Sequence, residues 1–315
     1  MPGTMCPTRI HSVFVAPELS MIVLAHNGRE ITQRCVDSLE RSTGPTHEIV
    51  LVDNASTDGT AEWISQTSHR SVLNDRNLGF AAGMNCGLAK ATGTFVVFVN
   101  NDTVFPEHWA ESVLEAFERV PTAAIVAPAV TKAGNPATVR SEPGSELIVF
   151  EPFGHLPSGV VYAMPTGLCR RLGGWNEDYL VATGEDLDLL WTVWVNGFDV
   201  VLDERVLVEH LSEATRKSRS DMEAIRVRNL EQFLDRWITG DPAPPRMEEC
   251  EPSAFESNRR HAAAGAIWLR RLVDARSAAD ETIESLRREL TTSRGSRPTS
   301  VLPSWRRIWS VLRKQ

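Results

Sequence analysis

The stretch FVVFVNND, residues 95–102, decides the fold class of this 315-residue chain. Its first five residues are apolar and rich in β-branched and aromatic types, which predicts a strand buried on both faces. Three polar residues, Asn100, Asn101 and Asp102, follow at once, where the chain leaves the core. Asp102 could cap a helix beginning at Pro106, but its place directly after a buried strand favours ligand binding.

Two earlier segments repeat this pattern of a buried strand followed by polar residues. Residues 20–25 (SMIVLA) predict a strand that runs into His26 and Asn27, and residues 48–52 (EIVLV) predict a strand that ends at Asp53. Helical patterns separate the strands, and a Gly- and Ala-rich stretch is predicted to be a helix over residues 77–91. Strands that alternate with helices are typical of an α/β domain with a mostly parallel sheet.

The polar residues at the three strand ends are expected to lie on one rim of the sheet. Ligands of open parallel sheets bind in the crevice outside the carboxyl ends of the strands. There, the Asp53 carboxylate could accept hydrogen bonds from a nucleoside base or ribose, whereas the Asn-, Ser- and Asp-rich turn that follows suits helix capping. The sequence therefore predicts a ligand site on this rim.

The segment GEDLD, residues 184–188, precedes an apolar helical run. The helix dipole stabilises carboxylates at a helix N-terminus, and this alone accounts well for Asp188. Asp186 suits another role, because a general base is an ionised carboxylate held rigidly at a cleft. We therefore predict that Asp186 removes the proton from an acceptor hydroxyl.

Asp102 suits a hard divalent cation, Mg²⁺ or Mn²⁺. Such cations prefer oxygen ligands and keep waters and substrate phosphates, so one or two protein carboxylates suffice. His210 ends a short β-like run at residues 206–210. A single histidine is more often a structural residue than a metal ligand, and spacing alone leaves both roles open.

Composition limits the class of protein. The hydrophobic fraction is 42% and the charged fraction 23%, as in ordinary globular proteins. The five cysteines are scattered, without a CxxC pair or a Cys/His cluster, which argues against zinc or a disulfide framework and favours a reducing cytoplasm. No run approaches the roughly 20 apolar residues of a spanning helix, and no signal-peptide pattern is present. We expect a cytoplasmic protein without a nucleic-acid partner.

The C-terminal part of the chain differs from the rest in charge. Residues 1–253 contain 20 basic and 35 acidic side chains, whereas residues 254–315 contain 13 and 6. The Gly- and Pro-rich stretch GDPAPP predicts a linker. We divide the chain into an N-terminal extension at residues 1–18, an α/β domain at 19–240, a linker at 241–253 and a basic helical tail at 254–315.

The tail itself shows two patterns. Apolar residues at alternating spacings of three and four, interrupted at Arg276, predict a coiled-coil-like helix; they are Leu269, Leu272, Ala279, Ile283, Leu286 and Leu290. Residues 304–315 place tryptophans opposite basic side chains, which indicates an interfacial helix. The tail is therefore expected to contact the inner face of the membrane or to mediate self-association, and a partly disordered tail is an equal alternative.

Taken in order, six segments resemble family 2 nucleotide-sugar glycosyltransferases, in particular rhamnosyltransferase-like bacterial members that assemble polysaccharides. The segments are IVLAHN at 22–27, VDNASTDGT at 52–60, NLGFAAGMN at 77–85, NND at 100–102, GGWNED at 173–178 and GEDLD at 184–188. The resemblance covers about residues 20–240. It implies a GT-A fold, which is a Rossmann-like, mostly parallel sheet flanked by helices, here with a C-terminal helical extension.

The resemblance also implies a role for each site residue. Nucleotide-sugar binding is implied for His26, Asn27, Asp53, Asn77, Gly79, Gly83, Asn85 and Asn101, acceptor binding for Trp175 and Glu185, and binding of Mg²⁺ or Mn²⁺ for Asp102 and His210. Asp186 is then the base of a direct displacement that inverts the anomeric centre. The donor would be a nucleoside diphosphate hexose or deoxyhexose, and the acceptor a glycan, a lipid-linked glycan or a small molecule.

Two other functions compete with this interpretation. A nucleotidyltransferase would also combine an α/β domain, a nucleotide and a metal, but it is expected to have a Gly-rich phosphate loop after the first strand, where this chain has His26, Asn27 and Gly28. A catalytically inactive scaffold could recruit partners through the tail. The presence of both Asp102 and Asp186 favours an active enzyme.

Overall fold

The computed structural model describes residues 16–133, 138–152, 157, 159–181, 183–211 and 222–293. Its elements follow in the order β1 (Leu19–Ala25), α1 (Arg29–Glu40), β2 (His47–Asp53), α2 (Thr60–Gln66), β3 (Arg70–Leu73), α3 (Phe80–Leu88), β4 (Phe95–Asn100), β5 (Thr103–Val104), α4 (Trp109–Arg119), β6 (Ala123–Val130), β7 (Leu147–Val149), β8 (Val161–Pro165), α5 (Thr166–Arg171), α6 (Glu185–Val195), β9 (Asp199–His210), α7 (Met222–Thr239) and α8 (Pro252–Ser293).

The strands of the described residues form one mixed sheet in the order β3-β2-β1-β4-β8-β6-β9-β5, with β7 also paired to β9. β3, β2, β1 and β4 run parallel, and β8 is antiparallel to both β4 and β6. Ala25 pairs with Asp53, and Leu24 pairs with Asn100. The three predicted strands therefore end in register, and their polar residues lie on one rim as expected.

Helix α3 packs unusually closely on the sheet because it presents glycines to it. A Cβ atom at Gly83 would lie 2.6 Å from Leu24 Cδ1, and one at Gly87 would collide with Ile22. Both glycines are buried, and they lie one helical turn apart on one face. The close approach brings the N-terminus of α3 to the carboxyl end of β1.

Helix α3 is shorter than the predicted helix over residues 77–91. It begins at Phe80, because Gly79 has a φ of +86° and Asn77 Oδ1 accepts the Gly79 N–H, an arrangement that ends the preceding loop instead of continuing a helix. The alternative role of Asp102 as a cap of the following helix is also wrong. Helix α4 begins at Trp109, and Asp102 lies in the turn between β4 and β5.

The predicted linker packs against the domain before it. Met247 and Cys250 are buried, and the side chain of Asn196 bonds to the backbone of Pro245 and Met247. The first compact unit runs through Ala266, and the second begins at Ile267. The domain limits drawn from composition stay predictions.

Helix α8 runs through much of the predicted coiled-coil segment. Within the second unit, Ile267 and Trp268 are exposed. The predicted interfacial helix at residues 304–315 lies outside the described residues. Within the described part of the chain, no helix has the length and apolar character needed to cross a membrane.

Candidate functional site

Hydrogen bonds join the turn after β1 to the turn after β2, and they fix the part of the strand-end rim that these two turns form. His26 Nδ1 lies 2.9 Å from the carbonyl oxygen of Asn54. Asn27 has a left-handed backbone with a φ of 63°, its N–H donates to Ser56 Oγ at 2.7 Å, and its Oδ1 accepts the Thr57 N–H at 2.8 Å. Asparagine tolerates this backbone conformation better than most residues, so its presence here has a local structural reason.

Asp58 holds the same two turns through its carboxylate. It accepts the N–H groups of Gly28, Arg29 and Thr60 and the hydroxyl of Thr60. Burial acts to raise the pKa of Asp58, but these hydrogen bonds outweigh it and lower the pKa below the usual value. Asp58 therefore joins the N-termini of α1 and α2, whereas the sequence predicted only that the turn after Asp53 caps a helix.

Asp53 is the residue of this rim whose carboxylate is least satisfied. Its side chain is buried, and Oδ2 accepts the Ser56 N–H at 3.0 Å. Oδ1 is buried without a hydrogen-bond partner among the described residues. An unpaired buried carboxylate oxygen is costly, so Asp53 is well suited to accept a hydrogen bond from a bound nucleoside.

Asn54 has a role that the sequence did not single out. Its side chain is buried; Nδ2 donates to Asn77 Oδ1 and to the Gly79 carbonyl, while Oδ1 accepts from Asn74 Nδ2 and the Leu78 N–H, all at 2.9 to 3.1 Å. This one amide therefore fixes the loop at residues 74–79 beside the rim. Its place after Asp53 at the strand end was the available indication of a role.

Asn85 and Trp175 form a bridge between α3 and the GGWNED loop. Asn85 Oδ1 accepts the Trp175 N–H at 2.9 Å, and its Nδ2 donates to the Trp175 carbonyl and to Glu177 Oε1, both at 2.8 Å. The Trp175 ring is 2% exposed and packs against Phe98 and Tyr162. In this conformation both side chains shape the wall behind the rim. Asn85 was expected to contact the nucleotide sugar, and Trp175 was expected to border the acceptor pocket.

The turn after β4 brings Asp102 next to His210. β5 pairs antiparallel with the end of β9, with Thr103 opposite His210, and the Leu211 N–H donates to the Asp102 carbonyl. His210 Nε2 then lies 3.2 Å from Asp102 Oδ1, and both residues are buried. His210 Nδ1 lies 2.7 Å from the carbonyl oxygen of Lys132, which only accepts, so Nδ1 is the protonated nitrogen and Nε2 faces the carboxylate.

These two donors fit a divalent cation. Their separation of 3.2 Å suits neighbouring ligands of one ion with bonds of about 2.1 Å. The Lys132 carbonyl fixes the imidazole, as outer partners of metal-bound histidines commonly do. No group of three or more His, Cys, Asp or Glu residues that could hold a metal occurs within the described ranges. The remaining positions on the ion would therefore fall to water and substrate oxygens.

Asn101 lies next to this pair but is engaged by α1. Its Nδ2 donates to Thr32 Oγ1 at 2.9 Å, and Thr32 in turn donates to the Gly28 carbonyl. Asn101 therefore ties the turn after β4 to the first turn of α1. This contact places its amide at the rim where nucleotide-sugar binding was predicted.

Asp186 lies in the first turn of α6 and is half-buried, with its Oδ1 accepting the Leu187 N–H at 3.0 Å. A Cβ atom at Gly159 would lie 3.0 Å from Asp186 Oδ2, so a larger residue at 159 would crowd the carboxylate. Burial raises the pKa of Tyr162, and the nearby Asp186 and Glu185 carboxylates raise it further. The Tyr162 phenol is therefore a neutral neighbour of these carboxylates, and its hydroxyl donates to the Pro157 carbonyl.

Asp188 differs sharply from Asp186. It is almost completely buried, and its carboxylate contacts Trp237 Nε1 at 2.9 Å, Arg236 Nε at 3.1 Å and Asn176 Nδ2 at 3.1 Å. Burial raises the pKa of Asp188, and the Arg236 guanidinium partly offsets this. Asp188 therefore attaches α6 to α7. A polar cavity of about 340 Å³ adjoins this network, but none of the predicted site residues lines it.

Residues 20–167 match the family model described as Glycosyl transferase family 2. Glycosyltransferase GlyA of Streptococcus pneumoniae is 30% identical to the chain over 105 residues, which are 32% of this chain and 15% of that protein. The uncharacterized glycosyltransferase YibD of Escherichia coli is 29% identical over 106 residues, which are 32% of this chain and 31% of that protein. The match thus spans a third or less of the length of these relatives.

Solved structures of other proteins resemble the fold. A structure of residues 1–349 of S. aureus TarS has a TM-score of 0.57 and 15% identity, over 79% of this chain and 70% of that one. GalNAc-T7 with UDP, GalNAc and Mn²⁺ has a TM-score of 0.54 and 17% identity, over 78% of this chain and 55% of that one. At such identities the likeness concerns the fold, and it confirms the predicted GT-A architecture.

Proposed function

We propose that the chain is an inverting glycosyltransferase, because residues 20–167 match the model of glycosyl transferase family 2. It transfers a sugar from a nucleoside diphosphate sugar to a hydroxyl group of an acceptor. The observation on which the proposal most depends is the pairing of Asp102 with His210 at 3.2 Å, beside the rim formed by the ends of β1, β2 and β4. Two residues far apart in the chain thereby form a metal-binding donor set at the carboxyl end of the parallel strands.

Asp102 and His210 would hold Mg²⁺ or Mn²⁺. When bound there, such a cation neutralises the charge that develops on a departing diphosphate. Among proteins of similar fold, S. aureus TarS was solved with UDP-GlcNAc, and a mannosyltransferase of Pyrobaculum calidifontis was solved with GDP-Man and Mn²⁺. These neighbours support a nucleotide sugar and a divalent metal for this chain in general terms.

The donor would occupy the rim between β1, β2 and the start of α3. Asp53 is the best placed residue to contact the nucleoside, because its buried Oδ1 needs a donor. His26, Asn27 and Asn101 present polar groups along the same rim. The remaining predicted residues, Asn77, Gly79, Gly83 and Asn85, would shape the site through their own backbone and packing contacts.

Asp186 would act as the general base. Its position in the first turn of α6 favours the ionised carboxylate, because the helix dipole stabilises negative charge there. As the acceptor oxygen bonds to the anomeric carbon, the bond from that carbon to the diphosphate oxygen breaks, and the acceptor proton passes to Asp186. Attack opposite the leaving group inverts the anomeric centre. Glu185 and the aromatic cluster around Trp175 would border the acceptor.

A donor screen tests this proposal. Release of nucleoside diphosphate from a panel of nucleoside diphosphate sugars is measured with Mg²⁺ or Mn²⁺, for the wild type and for Asp186→Asn and Asp102→Ala. Asp186→Asn should lower kcat by roughly 100-fold or more, the range for a lost general base. A protein that neither bound nor turned over any sugar nucleotide, or full transfer by Asp186→Asn, would show the proposal to be wrong.

The metal assignment has a matched control in a second histidine. His210→Gln should raise the metal concentration needed for half-maximal activity by about 10-fold or more, since even the loss of an outer partner of a metal ligand costs about 10- to 100-fold in metal affinity. His69, which pairs with Glu40 at 2.9 Å away from the strand-end rim, serves as the control, and His69→Gln should leave the metal requirement unchanged. Equal metal requirements for both variants would exclude His210 as a ligand.

The basic tail completes the proposal. We propose that residues 254–315 bring the enzyme to an anionic membrane surface or to a second copy of the chain, which suits a glycan or lipid-linked acceptor. The net positive charge of this segment supports membrane contact. The apolar spacing along α8 supports self-association.

A further inference from the structure

The loop that leads into α6 has a strained backbone. Val181 and Thr183 have φ values of 60° and 86°, and Gly184 follows with a φ of 94°. A β-branched residue in the left-handed region is a genuine outlier, which persists only where the surroundings impose it. Such strain is concentrated at functional sites more often than elsewhere.

This loop connects the donor side of the site to the proposed base. At one end, the Val181 carbonyl accepts the Phe80 N–H at 2.6 Å, and a Cβ atom at Gly79 would lie 3.3 Å from the Val181 nitrogen. At the other end, Gly184 directly precedes Glu185 and Asp186 in α6. The position of the loop therefore sets the position of Asp186 relative to the loop at residues 74–79.

Asn229 on α7 holds the strained loop in place. It is completely buried, and its Nδ2 donates to the Leu180 carbonyl at 2.9 Å and to the Thr183 carbonyl at 2.8 Å. Its Oδ1 accepts the Leu180 N–H at 3.2 Å. A Cβ atom at Gly184 would lie only 3.5 Å from Asn229 Cβ, so α7 packs directly on the start of α6.

We propose that Asn229 is a positioning residue for catalysis, which fixes Asp186 at the distance from the bound donor that the transfer requires. The inference rests on the proposed function. A primary amide suits this task because it donates to carbonyls and accepts from an N–H group at the same time. An aspartate at this position would instead place a carboxylate against two carbonyl oxygens and push the loop away.

The chain offers a matched control at the opposite end of α6. Asn196 is also a buried asparagine whose amide bonds to backbone groups: its Nδ2 donates to the Thr192 and Pro245 carbonyls, and its Oδ1 accepts the Met247 N–H. Asn196→Asp therefore disturbs the same kinds of hydrogen bond as Asn229→Asp, but at the C-terminal end of α6 instead of the end that carries Asp186. The two variants separate loss of stability from loss of positioning.

The experiment compares kcat, the KM for the donor and the Tm of both variants with those of the wild type. Asn229→Asp should lower kcat by about 10- to 100-fold with the donor KM within about threefold, because small misplacements of a catalytic group act on turnover. Asn196→Asp should lower Tm but keep kcat within about threefold of the wild-type value. Equal kcat for the two variants would overturn the inference.

A second variant covers the case in which Asn229→Asp does not fold. Val181→Gly removes the left-handed strain and buries no charge, so its Tm should be maintained while its kcat falls by about tenfold as the loop gains freedom. A wild-type kcat for Val181→Gly would overturn the inference while leaving the proposed function intact. A wild-type protein without activity on any donor would instead refute the proposed function, and this inference with it.

Discussion

At the scale of single residues, the first turn of α6 places two aspartates in different environments. Asp186 is half-buried and lies against Gly159, where an acceptor hydroxyl could approach. Asp188 is buried among Trp237, Arg236 and Asn176. Successive positions of a helix point in different directions, so two residues of one acidic motif can serve chemistry and packing respectively.

Exchange of Asp188 for asparagine should mainly lower stability, whereas the same exchange at Asp186 should mainly lower transfer activity. Asp188→Asn leaves the largely buried Arg236 guanidinium without its carboxylate, so it should reduce the free energy of unfolding by about 3 kcal/mol. Asp186→Asn should change that free energy by at most about 1 kcal/mol, the usual contribution of a charge at a helix N-terminus, while lowering kcat by roughly 100-fold or more. Denaturant unfolding and nucleoside diphosphate release measure the two effects. A similar loss of stability in both variants would contradict this division.

The residues of the candidate site could be recognised in the sequence, but which of them lie close together could not. Asp102 and Asp186 stand out because each carboxylate follows a recognisable strand end or begins an apolar helix. The sequence did not decide between a structural and a metal-binding role for His210. Its approach to Asp102 depends on the pairing of β5 with β9, two strands that are far apart in the sequence. Asn229 gave no indication at all, since a helical asparagine shows its role only when a distant loop packs against it.

At the scale of elements, the parallel strands were predictable and the helix boundaries less so. The strands are short apolar runs that end in polar residues, and this pattern fixes them within one or two residues. Helix α3 was predicted to begin at Asn77, because composition does not reveal that Gly79 adopts a conformation outside the helix. The close packing of α3 likewise depends on which face its glycines occupy.

Gly87 provides a test of that packing. Gly87→Ala would press a methyl group into Ile22 of β1, so it should reduce the free energy of unfolding by about 1 to 3 kcal/mol, the usual cost of overpacking. Gly167 in α5 is the matched control, because the nearest atom to a Cβ there is Arg171 NH1 at 3.8 Å. Gly167→Ala should be neutral or stabilise by up to about 1 kcal/mol. Equal effects in chemical unfolding would exclude close packing as the role of Gly87.

At the scale of the whole molecule, charge is distributed unevenly along the chain. Residues 1–253 contain an excess of acidic side chains and residues 254–315 an excess of basic ones. An acidic domain is repelled by an anionic membrane, whereas a segment of net positive charge is attracted to it. Membrane binding by the tail would therefore have to overcome the repulsion between the acidic domain and the anionic membrane. We expect this binding to depend strongly on the basic residues at the C-terminal end of the chain.

Deletion of residues 292–315 tests this dependence, because the segment contains six basic and no acidic side chains together with Trp305 and Trp309. The full chain should sediment with vesicles that contain phosphatidylserine, and the deletion should weaken this binding by about tenfold or more, since each basic residue near the surface contributes about 1 kcal/mol. Vesicles of phosphatidylcholine alone are the control.

Because the deleted segment contains none of the site residues, transfer to a soluble acceptor should be unchanged. Undiminished sedimentation of the shortened chain would eliminate the membrane role, and a change in its molecular mass by analytical ultracentrifugation would assign the segment to self-association instead.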